Sequence, residues 1–300
     1  MTHVWLRSIG LVGALFIAGT TFAAQRDLDR SFNVTTGGKL SVDADGGTIT
    51  VTGTNANVVS VKIRASGDAD GLDKLKLLAE QTSDGVNVTA KRNRDGFSGW
   101  FGSDVQVSVA IEVPRQYNLQ LETSGGDIRV KQINGTAHGR TSGGRVNIDG
   151  VQGEVRMKSS GGGIEVRNVQ GPVEVDTSGG SIVASELRGR VHAHTSGGSI
   201  RLERVQGAID AQTSGGGITL DLNGDNEGVV AKTSGGSISM RVPTSIKASL
   251  NASTSGGSVN CELPLTTSEI GKTSLRGTVN GGGPEILART SGGSIRISGT

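Results

Sequence analysis

Thr195-Ser196-Gly197-Gly198-Ser199-Ile200-Arg201-Leu202-Glu203, continued by Ile209-Asp210-Ala211-Gln212 and a fresh Thr213-Ser214-Gly215-Gly216, contains one whole unit of this chain. Ile200 and Leu202 alternate with Arg201 and Glu203, and Ile209 and Ala211 with Asp210 and Gln212, which is the period of a strand with one buried face. The Thr-Ser-Gly-Gly word recurs at Thr123, Thr141, Ser159, Thr177, Thr195 and Thr213 in steps of 18 residues, then at Thr233, Thr254 and Thr290. Thr273-Ser274-Leu275-Arg276 reads as a degenerate copy in the last gap. A fixed period of this length means stacked supersecondary units.

The same phase repeats at Ile128/Val130, Val146/Ile148, Ile164/Val166, Ile182/Ala184 and Ile218/Leu220 after the corner, and at Val155/Met157, Val173/Val175 and Val191/Ala193 before the next one. Short turns such as Val151-Gln152-Gly153 and Val169-Gln170-Gly171 join the two strands, with Gly supplying a positive φ. No strand can bury its apolar face alone. Copies stacked ~4.8 Å apart pair the backbone and extend one thin core. The expected fold is all-β: a parallel β-solenoid (β-helix) of about ten coils of 18–21 residues, roughly 50 Å long. Stacking predicts Lys131, Asp149 and Arg167 in one column, and Arg241 beside Glu262.

Residues 1–24 carry Arg7, an apolar run from Ile9 to Ala18, and small residues at Thr21, Ala23 and Ala24, the layout of a signal peptide cut after Ala23 or Ala24. That run is short for a membrane span, so no transmembrane segment is expected after cleavage. Residues 25–121 keep strand alternation without the repeat and are expected to form a β-rich cap or irregular first coils, with one helical turn over Leu72 to Ala79 leading into a strand; residues 122–300 form the solenoid. With 30 Lys plus Arg against 28 Asp plus Glu, the chain has no charge excess to draw nucleic acid. Cys261 is the only cysteine and cannot form an internal disulfide.

The run Asp104-Val105-Gln106-Val107-Ser108-Val109-Ala110-Ile111-Glu112-Val113-Pro114, followed by Leu119-Gln120-Leu121-Glu122-Thr123-Ser124-Gly125-Gly126-Asp127-Ile128, resembles the bacterial putative adhesin family of β-strand repeat proteins of unknown function. The resemblance covers nearly the whole mature chain. It implies an envelope-associated β-solenoid, with adhesion presumed from the fold, and it brings no catalytic residues.

Candidate sites are few. The residue after Gly-Gly is usually Ser, Gly or Arg, so a calcium-binding repeat would lack carboxylates. The Thr column from Thr123 to Thr290 reads either as an ice- or glycan-facing array or, as one corner Thr per coil favours, as a ladder of stacked Thr and Ser side chains. His192 and His194, with Glu174, Asp176 and Asp210 in flanking coils, are weak metal candidates, better explained as a solvated charge ladder. Phe97, Trp100 and Phe101 form an aromatic loop, read as a plug over the open core or as a partner-binding tip. Cys261 lies in the inward phase.

No nucleophile elbow or phosphate loop is present, and no catalysis or cofactor is expected. The leading expectation is a non-catalytic exported protein, periplasmic or at the cell surface, that binds an envelope protein or glycan or serves as a scaffold. The alternatives are a polysaccharide-active β-helix enzyme and an assembly module. The latter follows because the last coil, Ser291 to Ile297, ends without a cap and would expose an edge for end-to-end self-association.

Overall fold

The computed structural model describes residues 24–92 and 105–300. The chain begins with β1 (Ala24–Asn33), β2 (Lys39–Ala44), β3 (Thr48–Thr54) and β4 (Val58–Gly67). A short helix, α1 (Ala69–Asp73), is capped by the Asp68 carboxylate accepting from the Gly71 N–H at 2.7 Å, and leads into β5 (Leu75–Thr82), β6 (Gly85–Arg92) and β7 (Gln106–Pro114). The regular rungs follow as β8 (Asn118–Thr123), β9 (Ile128–Asn134), β10 (Ala137–Thr141), β11 (Val146–Gln152), β12 (Val155–Ser159), β13 (Ile164–Gln170), β14 (Val173–Thr177) and β15 (Ile182–Arg188). They continue through β16 (Val191–Thr195), β17 (Ile200–Gln206), β18 (Ile209–Thr213), β19 (Ile218–Leu222), β20 (Val229–Thr233) and β21 (Ile238–Val242). The last strands are β22 (Ala248–Thr254), β23 (Val259–Cys261), β24 (Leu265–Ile270), β25 (Ser274–Val279), β26 (Glu285–Thr290) and β27 (Ile295–Gly299).

Two sheets enclose one core. The first runs β1-β4-β7-β3-β9-β11-β13-β15-β17-β19-β21-β27-β23, and the second β24-β25-β22-β26-β20-β18-β16-β14-β12-β10-β8-β2-β6-β5. Pairing is parallel throughout the stack, with Ile182 beside Ile164 and Ile200, and Val191 beside Val173 and Ile209. The expected inward residues are buried in a single cluster. Lys131, Asp149 and Arg167 stand in one column as the period predicts.

Each long strand carries a third inward residue that simple alternation does not give. Ile133, Val151, Val169, Leu187 and Val205 are buried, although period two after Ile128 and Val130 would place the next one at residue 132. The reason is a left-handed residue just before each: Gln132, Gly150, Asn168, Glu186 and Arg204 have φ between 54° and 73°. That backbone state rotates the chain and resets the phase, so what reads as a turn residue is core.

The ends depart from the expected simple stack. The β2–β3 rung lies between β6–β7 and β8–β9, and the β26–β27 rung lies between β20–β21 and β22–β23. Several readings are thereby corrected. The last coil is not an exposed end: β27 pairs with β21 on one side and β23 on the other. Arg241 faces Asp221 at 3.8 Å and Ser298 rather than Glu262, because the inserted rung separates them. Thr273 to Arg276 is no corner; Ser274 opens β25, which pairs antiparallel with β22 and β24. Antiparallel β4 and β1 close the first sheet at the other end, and antiparallel β5 closes the second.

Candidate binding surface

The corner explains why Thr-Ser-Gly-Gly repeats. The Thr hydroxyl donates to the carbonyl of the last corner glycine one rung back, as from Thr195 to Gly180 at 2.8 Å, and accepts from the N–H of Gly198 in its own corner at 3.3 Å. The same pair of bonds holds Thr141, Ser159, Thr177, Thr213, Thr233, Thr254 and Thr290. All these side chains are buried. The Thr column is therefore neither an exposed array nor a side-chain ladder: its hydroxyls are used up on backbone groups that the corner would otherwise leave unpaired.

The two corner glycines have different reasons. A Cβ on Gly198 would lie 2.0 Å from the Gly180 carbonyl oxygen, whereas one on Gly197 would find its nearest atom at 3.5 Å. The last glycine is required by rungs stacking backbone on backbone. At Gly197 the first is not sterically required, whereas at Gly215, Gly235, Gly256 and Gly292 a Cβ would lie 3.0–3.1 Å from a backbone oxygen.

What remains for recognition is the outer face of each sheet. On the second sheet the register sets Arg156, Glu174, His192 and Asp210 in one column, and Arg140, Lys158, Asp176, His194 and Gln212 in the next. Arg156 meets Glu174 at 2.8 Å, Lys158 meets Asp176 at 3.4 Å, and His192 Nδ1 lies 3.3 Å from Asp210. The five metal candidates Glu174, Asp176, His192, His194 and Asp210 are thus neighbours, as their spacing suggests. They stand in two parallel columns rather than around a point, and among the described residues no three His, Cys, Asp or Glu side chains converge to hold a metal ion.

On the first sheet a depression of about 430 Å³ opens over Gly163, between Arg145 and Ser181, with Arg129, Asn147, Glu165 and Val183 around it. Gly163 contributes no side chain there, between Arg145 and Ser181 in a column that runs Asp127, Arg145, Gly163, Ser181, Ser199, Gly217. Sequence reading passed over it, since one glycine among so many gives no signal without the register.

Cys261 is half-buried against the core; burial pushes its thiol up, the Glu262 carboxylate adds to this, and a backbone hydrogen bond at Leu263 works the other way. A thiol so placed is a poor nucleophile. Near the N-terminal edge, a hydrogen bond from Arg64 holds the Asp29 carboxyl below the usual carboxylate range. Phe97, Trp100 and Phe101 lie outside the described residues.

This geometry defines a class: a two-sheet parallel β-solenoid whose regular middle is flanked by antiparallel strands on both sheets at the N-terminal end and on the second sheet at the other. The chain belongs to the Toastrack DUF4097 family, which it matches over residues 38–298. Among solved structures it is similar to a putative adhesin from Parabacteroides distasonis, at 11% identity and TM-score 0.41 over 92% of this chain and 97% of that one. A putative adhesin from Bacteroides fragilis gives 12% identity and TM-score 0.39 over 92% and 97% of the two chains. A protein described as a putative lipid binding protein from Parabacteroides distasonis gives 11% and 0.37 over 91% and 96%. No curated protein matches the chain.

Proposed function

We propose that this chain is a non-catalytic protein of the cell envelope, exported through the segment at residues 1–24, which uses the outer face of its second sheet to hold an extended envelope glycan. The observation that carries this reading is the register of that face. Polar and charged side chains stand in straight columns from Ser41 and Asp43, through Gln120 and Glu122, to Asp210 and Gln212, one rung apart. A ligand that repeats along its length meets such a surface many times over, and several weak contacts add up through effective concentration. The rungs between Thr123 and Leu222 are joined by turns too short to build a walled cleft, which favours binding over hydrolysis.

The test is a screen of the purified chain against glycans and envelope fractions, together with fractionation of cells producing it. Retention by a glycan whose chain length does not change, and recovery in the envelope without residues 1–24, are the expected results. Shortening of the glycan by the purified chain, or a cytoplasmic product with its N-terminus intact, would overturn the reading.

A further inference from the structure

Charges on neighbouring strands are mostly arranged as opposites, but four register pairs set like charges side by side: Asp43 with Glu122, Lys76 with Lys91, Arg140 with Lys158, and Lys232 with Arg289. Like charges directly opposite destabilise a sheet. In the first three pairs the repulsion is relieved locally. Asp43 binds Lys91 at 2.5 Å, Arg140 binds Glu122, and Lys158 lies 3.4 Å from Asp176. Lys232 and Arg289 are different: both are exposed, and their neighbours in the column are Gln212 and Ser253, which carry no charge. No carboxylate among the described residues forms an ion pair with either.

This pair exists only because β26 is inserted beside β20, and it has company. Val230 and Leu287 stand next to each other on the same face, half-buried, and Asn251 follows Leu287 in the next rung. Two unneutralised cations on adjacent strands ~4.8 Å apart lie alongside a small aliphatic strip, with an amide and a hydroxyl one rung further on. A bare phosphate would use the cations and leave the strip idle. A sugar acid uses all of it: carboxylate on Lys232 and Arg289, the C–H face of the ring on Val230 and Leu287, and ring hydroxyls on Ser253 and on the Asn251 carbonyl oxygen, the Asn251 amide nitrogen being already given to Glu285 at 3.3 Å.

Resting on the glycan-binding reading above and narrowing it, we infer that Lys232 and Arg289, with Val230 and Leu287, form a subsite for a uronate residue of an acidic polysaccharide. Polygalacturonate is the probe and neutral dextran the control, titrated calorimetrically against the purified chain. The full chain binds polygalacturonate and not dextran, and added salt weakens the binding. Lys232→Glu places a carboxylate beside Arg289; it weakens binding at least tenfold while leaving the melting temperature equal or higher, an outcome that loss of a merely structural lysine would not give. Should that variant fail to fold, Lys232→Gln and Arg289→Gln serve with the same expectation. Unchanged affinity in these variants overturns the subsite and leaves glycan binding standing elsewhere on the face. Equal binding to dextran overturns the acidic specificity, and absence of binding to every glycan overturns both readings.

Discussion

From Thr123 to Leu222 each rung lies on the one made just before it, whereas at the two ends chain order and spatial order part company. β2–β3 waits for β6–β7 to cover one side and β8–β9 the other; β22–β23 is placed one rung too far, and β26–β27 returns to fill the gap. The middle can extend by local addition, each rung templating the next. The ends close by contacts between segments far apart in sequence, whose loop-closure entropy must be met before any pairing rewards it. Parallel stacking alone would leave open edges for other chains to join. Antiparallel strands finish both sheets at the N-terminal end and the second sheet at the other, where the first sheet stops at the three-residue β23, and β24 carries a register irregularity between Thr267 and Glu269 that makes a poor template.

The strongest way to break this comparison is to remove the inserted rung. A chain stopped after Pro284 leaves β22 without its parallel partner and β21 without β27. Hydrogen exchange should show residues 245–283 losing protection almost completely, while 123–222 keep theirs. Uniform loss of protection would mean that the middle depends on its ends and is not self-sufficient.

Next in size is the corner. Gly198→Ala brings a methyl against the Gly180 carbonyl, backbone on backbone, and should cost about 3 kcal/mol in denaturant unfolding. Gly197→Ala, with its nearest atom at 3.5 Å, should cost under ~1 kcal/mol. Thr195→Val leaves the Gly180 carbonyl and the Gly198 N–H without their partner, at about 2 kcal/mol. Thr290→Val, in the inserted rung, makes the same two bonds and should cost about the same; a much smaller loss there would show that the threaded rung is only loosely held.

These corners are also where the sequence was most legible. Period, the two alternating inward residues of each strand and the glycine turns could be read from spacing, because identical units under identical constraints repeat identical residues. Two features could not be read. The insertion order is hidden because Thr290-Ser291-Gly292-Gly293 looks like any other corner, and only its partners, Gly236 below and Gly257 above, reveal its place. The left-handed bend is hidden because four of its five positions carry residues other than glycine: Gln132, Asn168, Glu186 and Arg204. The charge pair at Lys232 and Arg289 follows from the insertion and was invisible for the same reason.

That bend supplies a smaller test within the middle. A non-glycine residue pays roughly 1–2 kcal/mol to adopt the left-handed state, and glycine gives back part of this through its unfolded-state freedom. Glu186→Gly should therefore stabilise the chain by about 0.5 kcal/mol, even though it removes the exposed 3.1 Å contact with Arg204. Gly150→Ala, at φ 73°, should lose about 1 kcal/mol.

An effect that can be as small as zero concerns the core just before the regular stack begins. Among the described residues Tyr117 is the largest fully buried side chain, its ring lies against Gly38, and its hydroxyl has no hydrogen-bond partner. An unpaired buried hydroxyl is a cost that phenylalanine lacks, so Tyr117→Phe should be neutral or up to about 1 kcal/mol more stable near pH 7. Burial also raises the Tyr117 pKa above its ordinary value of 10.0. Above that pH the unfolded chain releases the phenolic proton while the folded chain still holds it, so the folded state binds more protons and stability falls as pH rises. Thermal unfolding from pH 8 to 11 should show this alkaline decline in the parent chain and a shallower one in Tyr117→Phe. Parallel profiles would mean that the hydroxyl reaches water or a partner, and that the junction is less tightly closed than the regular rungs it adjoins.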